Sequence, residues 1–168
     1  PVDRKERTRI YKIDDDTFKA NGSFKNLTSN MLVNLALKGS LDLANLKQVY
    51  PIEMEQDLNG RFTTDLTTRF DMRSIEKEQY QNIKSDGVAS LRGFEYRSPD
   101  IPNILKITTA NVDFSPGNIS LNEFNAVSGQ TDISATGSIQ NLIPFLMSKQ
   151  DLKGNFKVLI INDASTIE

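Results

Sequence analysis

The sequence predicts a mainly β fold, a curved antiparallel sheet that is either an open groove or sandwich-like, with two or three short helices. Three observations support this prediction. Apolar and polar residues alternate over most of the chain, turn-forming residues separate the alternating segments, and a Gly-Ser phrase recurs, which indicates a repeated β unit. The chain has 168 residues, of which 38% are hydrophobic and 25% are charged. This is the size and composition of one globular domain.

The strands are predicted from alternation of period two. In an extended chain, such alternation places apolar side chains on one face and polar side chains on the other. The pattern is clearest over residues 18–24, 33–43 and 62–70. Further strands are expected over 88–96, 105–114, 119–126, 131–139 and 155–161. About eight strands at short intervals are typical of an antiparallel all-β domain.

Three segments break the alternation and are expected to form short connecting helices, over residues 43–50, 74–84 and 141–148. Ser74 is the expected N-cap of the second helix, because a serine side chain can accept a hydrogen bond from a free backbone N–H at a helix start. Pro51 ends the first helix, and Pro144 lies early enough in the third to be tolerated in its first turn.

The predicted domain organisation is a single β-rich domain over residues 10–162. The charged, aperiodic residues 1–9 are expected to be a flexible lead-in, and residues 163–168 a flexible tail. The chain starts at Pro1 and shows no signal sequence. We therefore expect it to be part of a longer protein whose targeting segment lies outside this sequence.

A phrase of Gly-Ser followed by an apolar residue occurs three times, at residues 22–24, 39–41 and 137–139. The second and third copies continue through a predicted short helix to Asp-Leu-x-Gly, at 57–60 and 151–154. A repeated unit of strand, helix and strand is typical of architectures that extend by adding strands to a sheet.

The composition excludes several kinds of chemistry. The chain has no cysteine and no histidine, so it can form no disulfide, no Cys/His zinc site and no thiol- or imidazole-based catalytic centre. Its net charge of -2 argues against nucleic acid as a partner, because nucleic-acid-binding domains usually cluster basic residues. No apolar run approaches the roughly 18 residues of a membrane-spanning helix.

No metal, cofactor or catalytic residue is predicted. The acidic run 14–16 lacks the spacing of a calcium loop, because lysines stand where the loop needs its glycine and its glutamate. The acidic pairs Asp57/Asp65, Asp113/Glu123 and Asp132/Asp151 cannot be ranked as a glycosidase-like site from sequence. We therefore do not expect an enzyme, although a carbohydrate-active enzyme stays open as a third alternative.

Several short motifs, taken in order, resemble the C-terminal region of AsmA-like proteins, especially those of Bacteroidetes. They are residues 39–46 with Tyr50-Pro51, then 57–60, then Tyr80 ahead of Gly87, then 114–116, and finally 129–137. The resemblance covers roughly residues 30–162. It implies an envelope protein of a Gram-negative bacterium, anchored in the inner membrane with its β-rich body on the periplasmic side.

The resemblance also implies a function. AsmA-like proteins are similar to bridge-like lipid-transfer proteins, whose repeated sheets form an apolar groove, and they are linked to phospholipid movement and outer-membrane assembly. The expected partner is thus phospholipid, along an apolar β groove, and no catalytic residue comes with the family. The oligomeric state is not predicted. The main alternative is a structural or adhesive module that binds protein or glycan.

The candidate groove-lining residues are the apolar members of alternating segments. An equally open interpretation is that they form a closed core packed against the short helices. The candidates are Phe62, Leu66, Phe70, Leu105, Ile107, Ile119, Leu121, Ile133, Phe156, Val158 and Ile160.

Overall fold

The computed structural model describes residues 4–13, 16–45, 58–97, 99, 102–147 and 151–162. All of its strands belong to one antiparallel sheet of nine strands, whose order in the sheet is their order along the chain. The strands are β1 (Arg4–Ile13), β2 (Asp16–Lys25), β3 (Leu32–Asp42), β4 (Arg61–Asp71), β5 (Lys84–Tyr96), β6 (Leu105–Ser115), β7 (Asn118–Ser128), β8 (Thr131–Ile139) and β9 (Gly154–Asn162). The prediction of a mainly β, antiparallel fold is confirmed, in its open form.

The first strand corrects one expectation. Residues 4–9, expected to be a flexible lead-in, belong to β1, whose partners run from Arg4 opposite Lys25 to Ile13 opposite Asp16. Pairing with β2 provides hydrogen-bond partners for the backbone of β1, so a strand forms without the alternation that identified the others. The expected tail, 163–168, and the acidic residues Asp14 and Asp15 lie outside the described residues.

Strand β4 shows how the sheet divides into two faces. The side chains of Phe62, Leu66 and Phe70 point to one side and are half-buried or buried, whereas the residues between them, such as Asp65 and Arg69, are exposed. We call the side with Phe62, Leu66 and Phe70 the apolar face and the other side the polar face. Residues that lie directly opposite each other on neighbouring strands point to the same face. The register therefore assigns each residue of the other strands to the apolar or the polar face.

Two β-bulges bend the second half of the sheet. The pairing of β6 with β7 shifts by one residue between Ile107 and Thr109, where β6 has one residue more than β7. The pairing of β7 with β6 and its pairing with β8 both shift within residues 121–125, so β7 has one extra residue there. A bulge increases the local twist and bends its strand. It also reverses which residues of that strand point to each face.

Glycines in β3 and β5 let neighbouring strands approach closely. Gly39 of β3 has φ +133° and Gly87 of β5 has φ +132°. A Cβ at Gly39 would overlap the carbonyl oxygen of Thr17, and a Cβ at Gly87 would overlap that of Asp65. Only glycine fits both the backbone conformation and the spacing at these positions.

The helices are short and lie at the sheet's connections. They are helix α1 (Met72–Glu76), helix α2 (Leu142–Met147) and 3₁₀ turns at Leu43–Asn45 and Tyr80–Asn82. The prediction for 141–148 is thus close to α2. The predicted helix over 74–84 is wrong in its extent, because Glu78, with φ +56°, ends the helical path. Of the prediction for 43–50, residues 46–50 lie outside the described residues.

The two longer copies of the repeated phrase fold as strand, helical turn and strand, through β3–β4 and β8–β9. Their registers differ, however. Leu41 lies opposite Phe62, two residues after the glycine at 60, whereas Ile139 lies opposite Gly154 itself. A shift of two residues keeps every side chain on the same face, so both copies add apolar residues to the same side of the sheet.

Candidate functional site

The candidate site is the apolar face, which collects the predicted groove residues from five strands, β4 and β6 to β9. Leu66 lies opposite Gly87, and Gly87 lies opposite Phe114. Phe114 in turn lies opposite Ile119, which lies opposite Ile139. With strand alternation, this register places every candidate on the apolar face. The same face also carries residues that were not among the candidates, such as Phe18, Phe24, Val33, Leu35, Leu37, Leu41, Leu91, Val112, Phe114 and Ile139.

Leu105 and Ile107 reach the apolar face only because of the bulge in β6. Counted by simple alternation from Phe114, these odd-numbered residues would lie on the polar face. The register shift places Ile107 opposite Ala126, which lies opposite Ile133 of β8. Ile133 is on the apolar face by alternation from Ile139, so the bulge returns Ile107 and Leu105 to that face.

At one end of the sheet the apolar face is covered. Phe70 packs there in a buried cluster with Val33 of β3, Ile75 of α1 and Ile83. The side chain of Phe70 is 4% exposed. The candidate residues were expected to line an open groove or to form a closed core. Phe70 belongs to a closed core, since helix α1 covers it.

Towards β9 the apolar face is open. Phe156 is 37% exposed, Val158 56% and Ile160 63%, compared with 8% for Leu66 in the middle of the sheet. In the part of the chain that the structure describes there is one sheet, so no second sheet packs against these side chains. The candidates of β9 are accessible apolar surface.

A gap lies on the apolar face between the two helical covers. It has a volume of about 300 Å³ and is lined on one side by Tyr80 and Ile83, and on the other by Leu142 and Ile143 of α2. Ile119 and Ile139 are also among its lining residues. The two helical segments therefore leave an opening between them that is lined by both apolar and polar residues.

A hydrogen-bonded corner holds α1 over the covered end. One carboxylate oxygen of Asp71 accepts hydrogen bonds from the Ser74 backbone N–H at 2.9 Å and from Asn30 Nδ2 at 3.0 Å. The other accepts one from Ser74 Oγ at 2.7 Å. The N-cap is therefore Asp71 and not Ser74, which lies inside the helix. The Asp-x-x-Ser spacing in the sequence was a signal for this cap.

The Asp71 corner gives a pH-dependent prediction. The hydrogen bond from the Ser74 side chain, followed by that from Asn30, lowers the pKa of Asp71 below its usual value. A carboxyl whose pKa is lower in the folded state stabilises the fold above the unfolded-state pKa, and this contribution is lost as the pH falls through the folded-state pKa. We expect Asp71→Asn to destabilise the protein at pH 6 by about 0.5–1 kcal/mol, because the neutral amide loses the charge-assisted hydrogen bonds and the attraction of a carboxylate to the helix N-terminus.

The measurement is urea unfolding of the wild type and Asp71→Asn at pH 6 and at successively lower pH values. The difference between the two proteins should shrink as the pH falls through the folded-state pKa of Asp71, because the wild-type carboxylate then becomes protonated. An equal difference at every pH would show that the charge of Asp71 contributes nothing.

The polar face carries ordinary surface interactions. Lys38 and Asp65 form an exposed ion pair with a distance of 3.5 Å between Nζ and Oδ2. Glu123 accepts hydrogen bonds from the side-chain amides of Asn111 and Asn125. Among the described residues there is no cluster of acidic residues that could hold a metal ion. Of the three acidic pairs that could not be ranked from the sequence, Asp113 and Glu123 lie on neighbouring strands, β6 and β7, and Asp57 lies outside the described residues.

Comparisons of the chain with protein-family models, with curated proteins and with solved structures gave no match. Within the described ranges, no helix is both long enough and apolar enough to span a membrane.

Proposed function

We propose that this chain shelters or guides phospholipid acyl chains along the apolar face of its sheet, without catalysis, as part of an AsmA-like envelope protein. The observation that carries the proposal is the apolar face, to which β2 to β9 all contribute apolar side chains and which is open towards β9. In this proposal the chain works on the periplasmic side of the inner membrane and contributes to outer-membrane assembly.

The physical basis is the hydrophobic effect. Each methylene that leaves water for an apolar surface contributes about 0.8 kcal/mol. An apolar strip that crosses several strands provides this contribution at each position along the sheet, so a lipid can shift along it without exposing its whole acyl chain to water. The charged headgroup stays hydrated at the edge. The open side chains of β9 and the gap beside Ile119 are two places where an acyl chain can enter.

Strand β9 offers a matched test because equally exposed apolar residues lie on both of its faces. Val158 and Ile160 are on the apolar face, and their neighbours Leu159 and Ile161, 59% and 53% exposed, are on the polar face. We expect wild-type protein expressed in bacteria to co-purify with phospholipid. The double variant Val158→Asp/Ile160→Asp should lose most of it, because acyl chains would then meet two charges. The control Leu159→Asp/Ile161→Asp should retain it.

The measurement is native mass spectrometry with lipid extraction, after circular dichroism has shown that both variants keep their strand content. All four positions are exposed, so neither variant buries a charge. Equal lipid loss in both variants, or a wild type free of lipid, would contradict the proposal. In that case the apolar face belongs to a structural or adhesive module.

A further inference from the structure

The two edges of the sheet differ sharply. Among the residues that the structure describes, strand β9 has a hydrogen-bonded neighbour on one side only, so its other side presents backbone N–H and C=O groups that no described strand pairs with. Along this edge, the four consecutive residues 158–161 are apolar and 53% to 63% exposed, and they extend to both faces of the sheet. An exposed apolar edge of this kind is a template for pairing with another strand.

The opposite edge has the features that prevent such pairing. In β1, the sequence RKERTRIYKI places five basic residues and one acidic residue on an edge strand. Charged side chains, lysine above all, are the usual protection of an edge against association. In β9 the sequence GNFKVLIIN has one charged residue, Lys157. The sheet is therefore closed to pairing at β1 and open to it at β9.

We propose that β9 pairs with β9 of a second copy of this chain, antiparallel and about a twofold axis through Leu159. In this register Leu159 meets Leu159 of the other copy on the polar face, and Val158 meets Ile160 of the other copy on the apolar face. Antiparallel partners that lie directly opposite each other share a face, so the arrangement joins the two apolar faces into one. The proposal does not depend on lipid binding.

Charge favours a second copy paired in this way. The two copies of Lys157 lie four residue positions apart along the strand direction, about 14 Å. This exceeds the Debye length of about 8 Å at physiological ionic strength, so their repulsion is screened. Pairing β9 with β1 of another copy would instead set apolar side chains and Lys157 against five basic residues. An assembly built by pairing β9 with β1 would also keep an unpaired edge strand at each end, so it could continue to grow. The twofold pairing uses the β9 edge of both copies and therefore stops at a dimer.

The test uses charge at the proposed twofold axis. Sedimentation equilibrium of the lipid-free wild-type protein at about 10 μM should give a mass twice that of the 18.9 kDa chain. Leu159→Lys and Leu159→Glu, each alone, should weaken the dimer at least about tenfold, since like charges then meet at the axis. Mixing these two variants should restore a heterodimer. Val88→Lys is the matched control, since Val88 is 50% exposed on the polar face of an interior strand, and it should leave the dimer unchanged.

Three results would overturn the proposal: a wild type that is monomeric at this concentration, a dimer that Leu159→Lys does not weaken, or growth beyond dimers as the concentration rises. The last result would assign β9 to pairing with β1. Because the readout is mass without lipid, failure here leaves the lipid proposal untouched. Equally, loss of lipid from Val158→Asp/Ile160→Asp does not decide the oligomeric state.

Discussion

Replacing Gly87 with alanine is expected to destabilise the protein by about 3 kcal/mol, one of the two largest effects that the structure predicts. At φ +132° a Cβ is strained, and it would overlap the carbonyl oxygen of Asp65 in the neighbouring strand. Relief requires β4 and β5 to separate at the pair Leu66–Gly87, in the middle of the sheet. For a chain of this size, the loss corresponds to a fall in Tm of about 6–12 °C.

Gly117→Ala is the matched control for Gly87→Ala. Gly117 also has a positive φ, +81°, but a Cβ there would meet nothing within 4 Å. Gly117→Ala should therefore lower the free energy of unfolding by the backbone strain alone, about 1 kcal/mol. Urea unfolding followed by circular dichroism measures both variants. Equal losses would show that the close approach of β4 and β5 adds nothing to the backbone strain.

Asn141→Ala is expected to cost about 2–4 kcal/mol, because it removes a fully buried side chain with two hydrogen bonds. Asn141 is 0% exposed. Its Nδ2 donates to the carbonyl oxygen of Asp151 at 2.8 Å, and its Oδ1 accepts from the backbone N–H of Lys153 at 2.7 Å. Without the side chain, both backbone groups lose their partner, and the connection between α2 and β9 loses its anchor.

The control for Asn141→Ala is Asn111→Ala on the polar face. The Asn111 amide makes one exposed hydrogen bond, to Glu123. Its loss should change the free energy of unfolding by less than about 0.5 kcal/mol, as for most surface positions. Thermal unfolding compares the two. A similar, small loss in both would mean that water replaces the Asn141 hydrogen bonds at no cost.

Strands β2 to β9 could be predicted from the sequence because apolar and polar residues alternate in most of them and turn-forming residues separate them, although β9 contains the unbroken apolar run 158–161. Their bounds agree with the predicted segments to within a few residues, as for Thr131–Ile139. Strand β1 could not be predicted, because residues 4–9 show no apolar/polar alternation and the strand is recognised only by its pairing with β2. The anchor Asn141 was missed for a similar reason, because the fold brings its partner Lys153 to it. Asp71 was missed although its spacing from Ser74 is visible in the sequence, and only its hydrogen bond from Asn30 depends on the fold.

The mainly β, antiparallel fold and the apolar residues that its strands present follow from the local sequence, because period-two alternation is a local property of an extended chain. Which of those residues share a face depends instead on how the strands pair. The bulges in β6 and β7 reverse the alternation, so that Ile107 joins Phe114 on one side. The tertiary structure also decided that Phe70 is covered by a helix while Val158 is open, since burial depends on what packs above a side chain.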